Sequence, residues 1–234
     1  MVSSSGVWSV SPTSPGDRLG GCAEVAAVYE PMSDPTPRSN LTRHALAPRE
    51  LRWARLDQRP AIAWLTGLPG AGKSTIAAAA DRSLIAAGRH SAVLDGDNLR
   101  HGLNADLAFT PRDRSENVRR AAEVARLMAE TGTVVIVSLI SPFHADRALA
   151  RRVAGDIPFL EVFVDTPVSI CARRDPKGLY ARASRGEIAA FTGVSAPYQV
   201  PDAPDLVLRT EALAVASSTV PLCEALLRLS ANGS

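Results

Sequence analysis

The residues best suited to chemistry lie between Gly67 and Thr75, which read Gly-Leu-Pro-Gly-Ala-Gly-Lys-Ser-Thr and fit the phosphate-binding pattern G-x-x-x-x-G-K-[ST]. Glycines let backbone N–H groups approach phosphate oxygens closely, and the N-terminus of a following helix adds unpaired donors. Lys73 is expected to contact the β- and γ-phosphates and Ser74 to offer its hydroxyl to Mg²⁺. The predicted nucleotide-binding residues are Gly67, Leu68, Pro69, Gly70, Ala71, Gly72, Lys73, Ser74 and Thr75.

Two carboxylates provide the acidic groups that phosphoryl transfer needs. Asp95 and Asp97 follow the apolar run Ser91–Leu94, and parallel α/β sheets bind their ligands at the carboxyl ends of strands. The most β-branched run ends at Ser138 rather than at an Asp, so we expect the acidic group near Mg²⁺ to come from Asp95 or Asp97. We assign Asp97 to orienting or deprotonating the attacking hydroxyl and Asp95 to the metal, although the two roles could be exchanged. The same stretch also reads as a turn in which Asp97 or Asn98 caps the next helix.

Short apolar runs and helix signals alternate along the chain and predict the elements that position these groups. Thr110 and Pro111 predict the start of one helix, and Ser141 and Pro142 predict the start of another, in each case as N-cap and first residue. We predict an α/β protein with the three-layer P-loop NTPase or kinase fold, a mostly parallel sheet, helices on both faces and an Arg-bearing lid. The expected strands are 61–66, 91–94, 134–137, 159–164 and 205–208, and further helices are expected at 48–56 and 212–229.

Composition divides the chain into segments. Residues 1–45 are rich in Ser, Pro and Gly, which predicts a disordered N-terminal extension, and residues 46–234 are expected to form one domain. Residues 173–204 contain few apolar clusters, and long segments of this kind inside a domain are usually functional, which predicts a lid at about these residues. The polar sequence after Met32 suggests that translation starts there.

Charge and cysteine content narrow the classes of partner and compartment. A formal net charge of +2 gives no whole-chain field that favours nucleic acid or a membrane surface, so we expect neither as a partner. The chain has three cysteines with no C-x-x-C spacing, which argues against a disulfide framework or a zinc site and favours the cytoplasm.

Several longer motifs resemble adenylylsulfate (APS) kinases, in family order from about Trp53 to Thr210. They are D-G-D-N-L-R-H-G-L-N at 95–104, D-R-S-E-N-V-R-R at 113–120, L-I-S-P-F at 139–143, R-D-P-K-G-L-Y at 174–180, and F-T-G at 191–193 with Pro197 and Tyr198. The resemblance implies ATP- and Mg²⁺-dependent phosphorylation of the 3′-hydroxyl of adenosine 5′-phosphosulfate, giving PAPS and ADP. It further implies a homodimeric cytoplasmic enzyme of sulfate activation, with ATP sulfurylase as a possible partner.

The resemblance also assigns residues to the two nucleotides. Arg173 and Arg174 are expected at the ATP adenine, and Lys177 is expected to act with them as a lid cation. Planar guanidinium groups at Arg100, Arg114 and Arg119 suit phosphate and sulfate oxygens, and an aromatic ring suits a purine. The implied substrate-binding residues are Asp97, Asn98, Arg100, Phe109, Arg114, Asn117, Ile140, Ser141, Lys177 and Phe191.

Departures from the family pattern keep two other functions open. Ala181 stands where a lysine is usual, Ser184 follows it in an altered turn, and His144 stands where an arginine is common. A related kinase that phosphorylates another nucleoside or metabolite hydroxyl would fit these changes. A catalytically degraded module that binds ATP sulfurylase is the other alternative, and the intact P-loop and paired aspartates argue against it.

Overall fold

The computed structural model describes residues 31–33, 42–44, 46–210 and 215–232. The chain divides into two units, Met1–Ala47 and Pro48–Ser234. In the first unit, β1 (Pro31–Ser33) and β2 (Thr42–His44) pair as short antiparallel strands. These strands fall within the segment predicted to be disordered, whose other residues lie outside the described part.

The second unit is built on a five-stranded parallel sheet in the order β4-β5-β3-β6-β7. Its strands are β3 (Ala61–Thr66), β4 (Ser91–Asp95), β5 (Val134–Ser138), β6 (Phe159–Asp165) and β7 (Leu206–Arg209). Its helices are α1 (Arg49–Leu56), α2 (Lys73–Ala86), α3 (Gly96–Arg100), α4 (Pro111–Glu130), α5 (His144–Ala154), α6 (Val168–Arg174), α7 (Leu179–Ser184) and α8 (Val215–Ser230). The predicted α/β P-loop kinase fold is confirmed.

Alternation along β3 explains why the sheet is covered on both faces. Successive side chains of a strand point to opposite faces, and all six residues of β3 are buried. Leu65 belongs to the core shared with α2 and α8, whereas Trp64 belongs to the core shared with α4 and α5. The second unit therefore has three layers, as predicted, with α2 and α8 on one face of the sheet and α4 and α5 on the other.

The predicted start of α4 is confirmed, but the predicted start of α5 is wrong. The Thr110 hydroxyl caps α4 by accepting from the Asp113 amide at 3.2 Å, with a proline in the first turn. In contrast, α5 begins at His144, and Ser141 is buried with φ of 40°. The indole Nε1 of Trp64 donates to Ser141 Oγ at 2.9 Å. A buried indole N–H needs an acceptor, so the hydroxyl serves Trp64 rather than a helix end.

The segment predicted as a lid contains the end of α6, all of α7 and a long stretch outside regular helices and strands. It is anchored in the core by two aromatic rings, since Tyr180 and Phe191 are buried and meet edge to face at 4.8 Å between centroids. The sequence pattern did not predict this contact, because the two aromatic residues are eleven positions apart in the chain. Within the described ranges, the helices are all too short or too polar to cross a membrane.

Candidate active site

One cavity of about 530 Å³ opens at the carboxyl ends of the parallel strands. Its wall runs from the P-loop, residues 67–75, past the ends of β4 and β5 to the start of α4. The wall also includes residues from the predicted lid. Parallel sheets bind ligands at this edge because strand ends and helix N-termini converge there. The cavity brings the P-loop together with most of the predicted acceptor residues.

The P-loop conformation depends on a close backbone approach at Gly67. This residue has φ of 151°, and a Cβ placed on it would lie 2.6 Å from the carbonyl oxygen of Val164. Only glycine avoids that clash, so β3 can turn directly into the loop. Helix α2 then begins at Lys73, which places its unpaired N–H groups beside the cavity.

The ammonium of Lys73 is held by the loop itself. Its Nζ donates to the carbonyl oxygens of Gly67 and Leu68, each at 2.9 Å, and the side chain is buried. Burial is the main reason that its pKa falls from 10.5 to about 8. Asp95 and Asp97 act in the opposite direction. A polyphosphate would supply much stronger compensation than two neutral carbonyls.

Three oxygen-bearing side chains meet where the metal was predicted. Ser74 Oγ donates to Asp95 Oδ2 at 2.7 Å and lies 3.4 Å from Ser138 Oγ. Carboxylate and hydroxyl oxygens suit Mg²⁺, which kinase sites bind through one or two carboxylates together with substrate phosphates. The residues present therefore fit the predicted metal.

Asp95 also forms the N-cap of α3. Its Oδ1 accepts from the Asp97 amide at 3.0 Å, so Asp95 itself is the N-cap of α3. The prediction that Asp97 or Asn98 caps this helix is wrong. Asp97 lines the cavity, and its carboxylate forms an ion pair with Lys177 from the predicted lid. The Asp97 carboxylate thus faces the cavity and takes no part in the cap.

Two arginines and one ring form the end of the cavity that was predicted to bind the acceptor. Arg100 lies over the Phe109 ring at 4.5 Å and Arg114 approaches it at 5.7 Å. Arg100 Nη1 donates to the carbonyls of Leu107 and Ala108 at 2.9 and 2.8 Å. Burial lowers the pKa of both arginines, yet the ring is 60% exposed. A partly exposed aromatic face beside two fixed cations suits a purine nucleotide with anionic groups.

Asn117, Ile140 and Ser141 complete this wall. Asn117 is buried, and its Oδ1 accepts from Asn104 Nδ2 at 2.9 Å. In this assignment the Asn117 NH₂ is left to donate elsewhere.

The donor end contains one of the two arginines expected there. Arg174 Nη1 donates to Thr210 Oγ1 at 3.1 Å and contacts the Ala71 carbonyl at 3.4 Å, so its guanidinium flanks the P-loop. Arg173 is exposed and does not line the cavity.

Several other predicted residues lie outside the cavity wall, and their proposed contacts stay predictions. Gly67 and Leu68 form the back of the P-loop, and Asn98 is exposed. Phe191 packs under Tyr180 in the core. Arg119 pairs with Glu116 at 2.7 Å on the outer side of α4.

Sequence reasoning missed several polar residues of the wall, among them Ser138, Asp175 and Thr210. Ser138 and Thr210 each follow a predicted strand, which is the edge where ligands bind, so their position was a usable signal. Asp175 accepts from the Ala181 amide at 3.1 Å and joins α6 to α7.

Most of this chain is similar to known proteins. A family model described as adenylylsulphate kinase matches residues 59–209. The chain is 54% identical over 191 residues to the bifunctional enzyme NodQ of Rhizobium sp. (strain N33), which is 76% of this chain and 30% of NodQ. It therefore spans under a third of that relative's length.

A full-length relative and a solved structure also match. The chain is 47% identical over 189 residues to an adenylyl-sulfate kinase of Aeromonas hydrophila, covering 80% of this chain and 96% of the relative. The structure of the Mycobacterium tuberculosis APS kinase CysC in complex with AMPPNP and APS aligns with a TM-score of 0.70 and 50% identity. That alignment covers 73% of this chain and 98% of the other. The chain belongs to the adenylylsulphate kinase family.

Proposed function

We propose that the protein transfers the γ-phosphoryl group of ATP to the 3′-hydroxyl of adenosine 5′-phosphosulfate, giving PAPS and ADP. The observation that carries this proposal is the shared cavity, in which the P-loop faces Asp97, Arg100, Phe109 and Arg114. Phosphoryl transfer requires the donor phosphate and the acceptor oxygen to be aligned and their charge to be stabilised, with little covalent chemistry from the protein. A donor cradle and an acceptor cradle in one cavity meet that requirement.

The roles of the residues follow from their positions. Lys73 and the P-loop amides bind the β- and γ-phosphates and stabilise the charge on the transferred group. Asp97 accepts the proton of the 3′-hydroxyl as its oxygen bonds to the γ-phosphorus and the bond to the β-phosphate oxygen breaks. Arg100 and Arg114 hold the acceptor's anionic groups, and Phe109 stacks on its base.

We propose Mg²⁺ as the metal, held by Ser74 and Asp95 together with phosphate oxygens. When bound, it neutralises charge on the β- and γ-phosphates. Ser138 lies close enough to Ser74 to support its orientation, with 3.4 Å between the two Oγ atoms.

The proposal extends to the movement and assembly of the protein. We propose that residues 173–204 close over ATP, because Lys177 reaches across to Asp97 and Arg174 flanks the P-loop. We also propose a cytoplasmic homodimer that uses the product of an ATP sulfurylase, and light scattering of the purified full chain tests the dimer.

A coupled ADP-release assay tests the activity. With ATP and Mg²⁺, we expect turnover with adenosine 5′-phosphosulfate and none with adenosine, AMP or sugar acceptors. Turnover only with another acceptor would show that the substrate is that acceptor and that the protein is a related kinase. Absence of turnover with every acceptor, despite measured ATP binding, would support the degraded module.

A further inference from the structure

A buried arginine, Arg147 in α5, contacts four groups, three of which lie outside this helix. Its side chain is 2% exposed. Nε donates to Glu161 Oε1 at 2.7 Å and Nη1 to the Ser141 carbonyl at 2.8 Å. Nη2 donates to the Gln199 carbonyl at 2.8 Å and lies 3.0 Å from His144 Nδ1. Glu161 supplies the counter-charge that a buried guanidinium requires.

These contacts join the acceptor wall to the segment around residue 199. Ser141 lies in the wall of the cavity, whereas Arg147 and Glu161 lie behind it. Thr66 strengthens the same junction, because its hydroxyl contacts the Ile140 carbonyl at 2.7 Å, the Ser141 carbonyl at 3.3 Å and the Tyr198 hydroxyl at 2.9 Å.

The turn needs such support because Ser141 is not a relaxed residue. It has φ of 40°, a left-handed conformation that costs a non-glycine residue about 1–3 kcal/mol and persists only when its surroundings hold it. The carbonyls of Ile140 and Ser141 are bound by Thr66 and Arg147, behind the wall. Within the described ranges, neither amide N–H of this pair has a hydrogen-bond acceptor. Both residues line the cavity, so a bound ligand can supply the missing acceptors.

We propose that Arg147 is a positioning residue for the acceptor nucleotide. It holds Ser141 in its left-handed conformation and thereby fixes the Ile140–Pro142 wall against which the acceptor binds. This inference rests on the proposed function. It assigns Arg147 no contact with either nucleotide, so its removal should weaken acceptor binding and leave the donor site intact.

Two substitutions test this role independently. Arg147→Lys keeps a positive charge but cannot reproduce a planar fork of donors, so the Ser141 carbonyl is released. Thr66→Val removes the hydroxyl from the same turn at nearly constant volume, and Thr66→Ser restores it. We expect Arg147→Lys and Thr66→Val each to raise KM for adenosine 5′-phosphosulfate by roughly 10- to 100-fold, as for a displaced binding wall. KM for ATP should change less than about twofold, since the P-loop contacts are untouched.

Arg152 provides a matched control on the same helix. It is exposed and does not line the cavity, so Arg152→Lys should leave both KM values unchanged. Urea unfolding of every variant measures loss of folded protein. Such a loss lowers the active fraction but changes neither KM, so it can be distinguished from weaker acceptor binding. Equal rises in both KM values, unchanged KM values, or failure of Thr66→Ser to restore acceptor KM would overturn the inference. A wild-type protein without turnover on this acceptor would instead refute the proposed function.

Discussion

Binding of a nucleotide polyphosphate should take up a proton at alkaline pH, because Lys73 is the P-loop cation that is expected to contact the phosphates. In the free protein its pKa is about 8, against an ordinary value of 10.5, mainly because burial disfavours the charged form. A bound polyphosphate restores the charge. The complex should therefore hold a proton that the free protein has lost above pH 8.

The size of the effect follows from that pKa. About 0.1 of the free protein has a neutral Lys73 at pH 7 and about 0.9 at pH 9, so uptake should rise from about 0.1 to about 0.9 proton per site. The gap between 10.5 and about 8 corresponds to about 3.4 kcal/mol. Between pH 8 and pH 10.5, Lys73 binds more protons in the unfolded chain than in the folded free protein. The contribution of Lys73 to the free energy of unfolding therefore increases with pH over this range.

Isothermal titration calorimetry with a non-hydrolysable ATP analogue measures the uptake, using two buffers of different ionisation enthalpy at each pH. At pH 9 the triphosphate is fully ionised and contributes no proton release. Lys73→Arg is the matched control, because arginine stays charged throughout this range and should show almost no uptake. Equal uptake by the wild type and Lys73→Arg at pH 9 would refute the assignment, as would no increase from pH 7 to pH 9.

Three substitutions test the remaining parts of the site. Asp97→Asn should lower kcat by about 10²- to 10⁴-fold while KM for ATP is retained, and steady-state kinetics with near-normal kcat would remove Asp97 from proton transfer. Asp95→Asn should raise the Mg²⁺ concentration for half-maximal rate by about tenfold or more, and a magnesium titration with no shift would contradict the metal assignment. Gly67→Ala should lower the free energy of unfolding by about 3 kcal/mol, because its Cβ would meet the Val164 carbonyl, and unchanged urea denaturation would show that the loop can relax.

Local patterns predicted those parts of the fold that depend on neighbouring residues in the sequence. The five strands of the parallel sheet were all predicted, because each coincides with a short, mainly apolar run. Only β3 and β5 are buried along their whole length. The start of α4 was predicted because Thr110 satisfies an amide three residues away. The P-loop motif likewise predicts a strand, a glycine turn and a helix start within a short stretch, and the structure has β3, the loop and α2 in that order.

Long-range hydrogen bonds account for what the sequence could not predict. The sequence predicts Ser141 as a helix cap, but its hydroxyl accepts a hydrogen bond from Trp64, which is 77 residues away. Arg147 resembles any helix arginine, and its contacts with Glu161 and Gln199 depend on how α5 meets β6 and the lid segment. No spacing rule reports such partners, since they are set by packing rather than by chain position.

Four of the five cations that line the cavity are held by backbone carbonyl oxygens, which explains how the cavity can be both positive and stable before substrate binds. Lys73, Arg100, Arg114 and Arg174 each donate to backbone carbonyl oxygens. Five cationic and three acidic side chains line the cavity, so charge pairing leaves an excess of positive charge. Neutral carbonyls orient these donors but carry no charge to offset theirs, whereas a phosphate oxygen is both an acceptor and a counter-charge. Substrate anions therefore exchange with carbonyls at groups already in place, and little reorganisation remains for the transfer step.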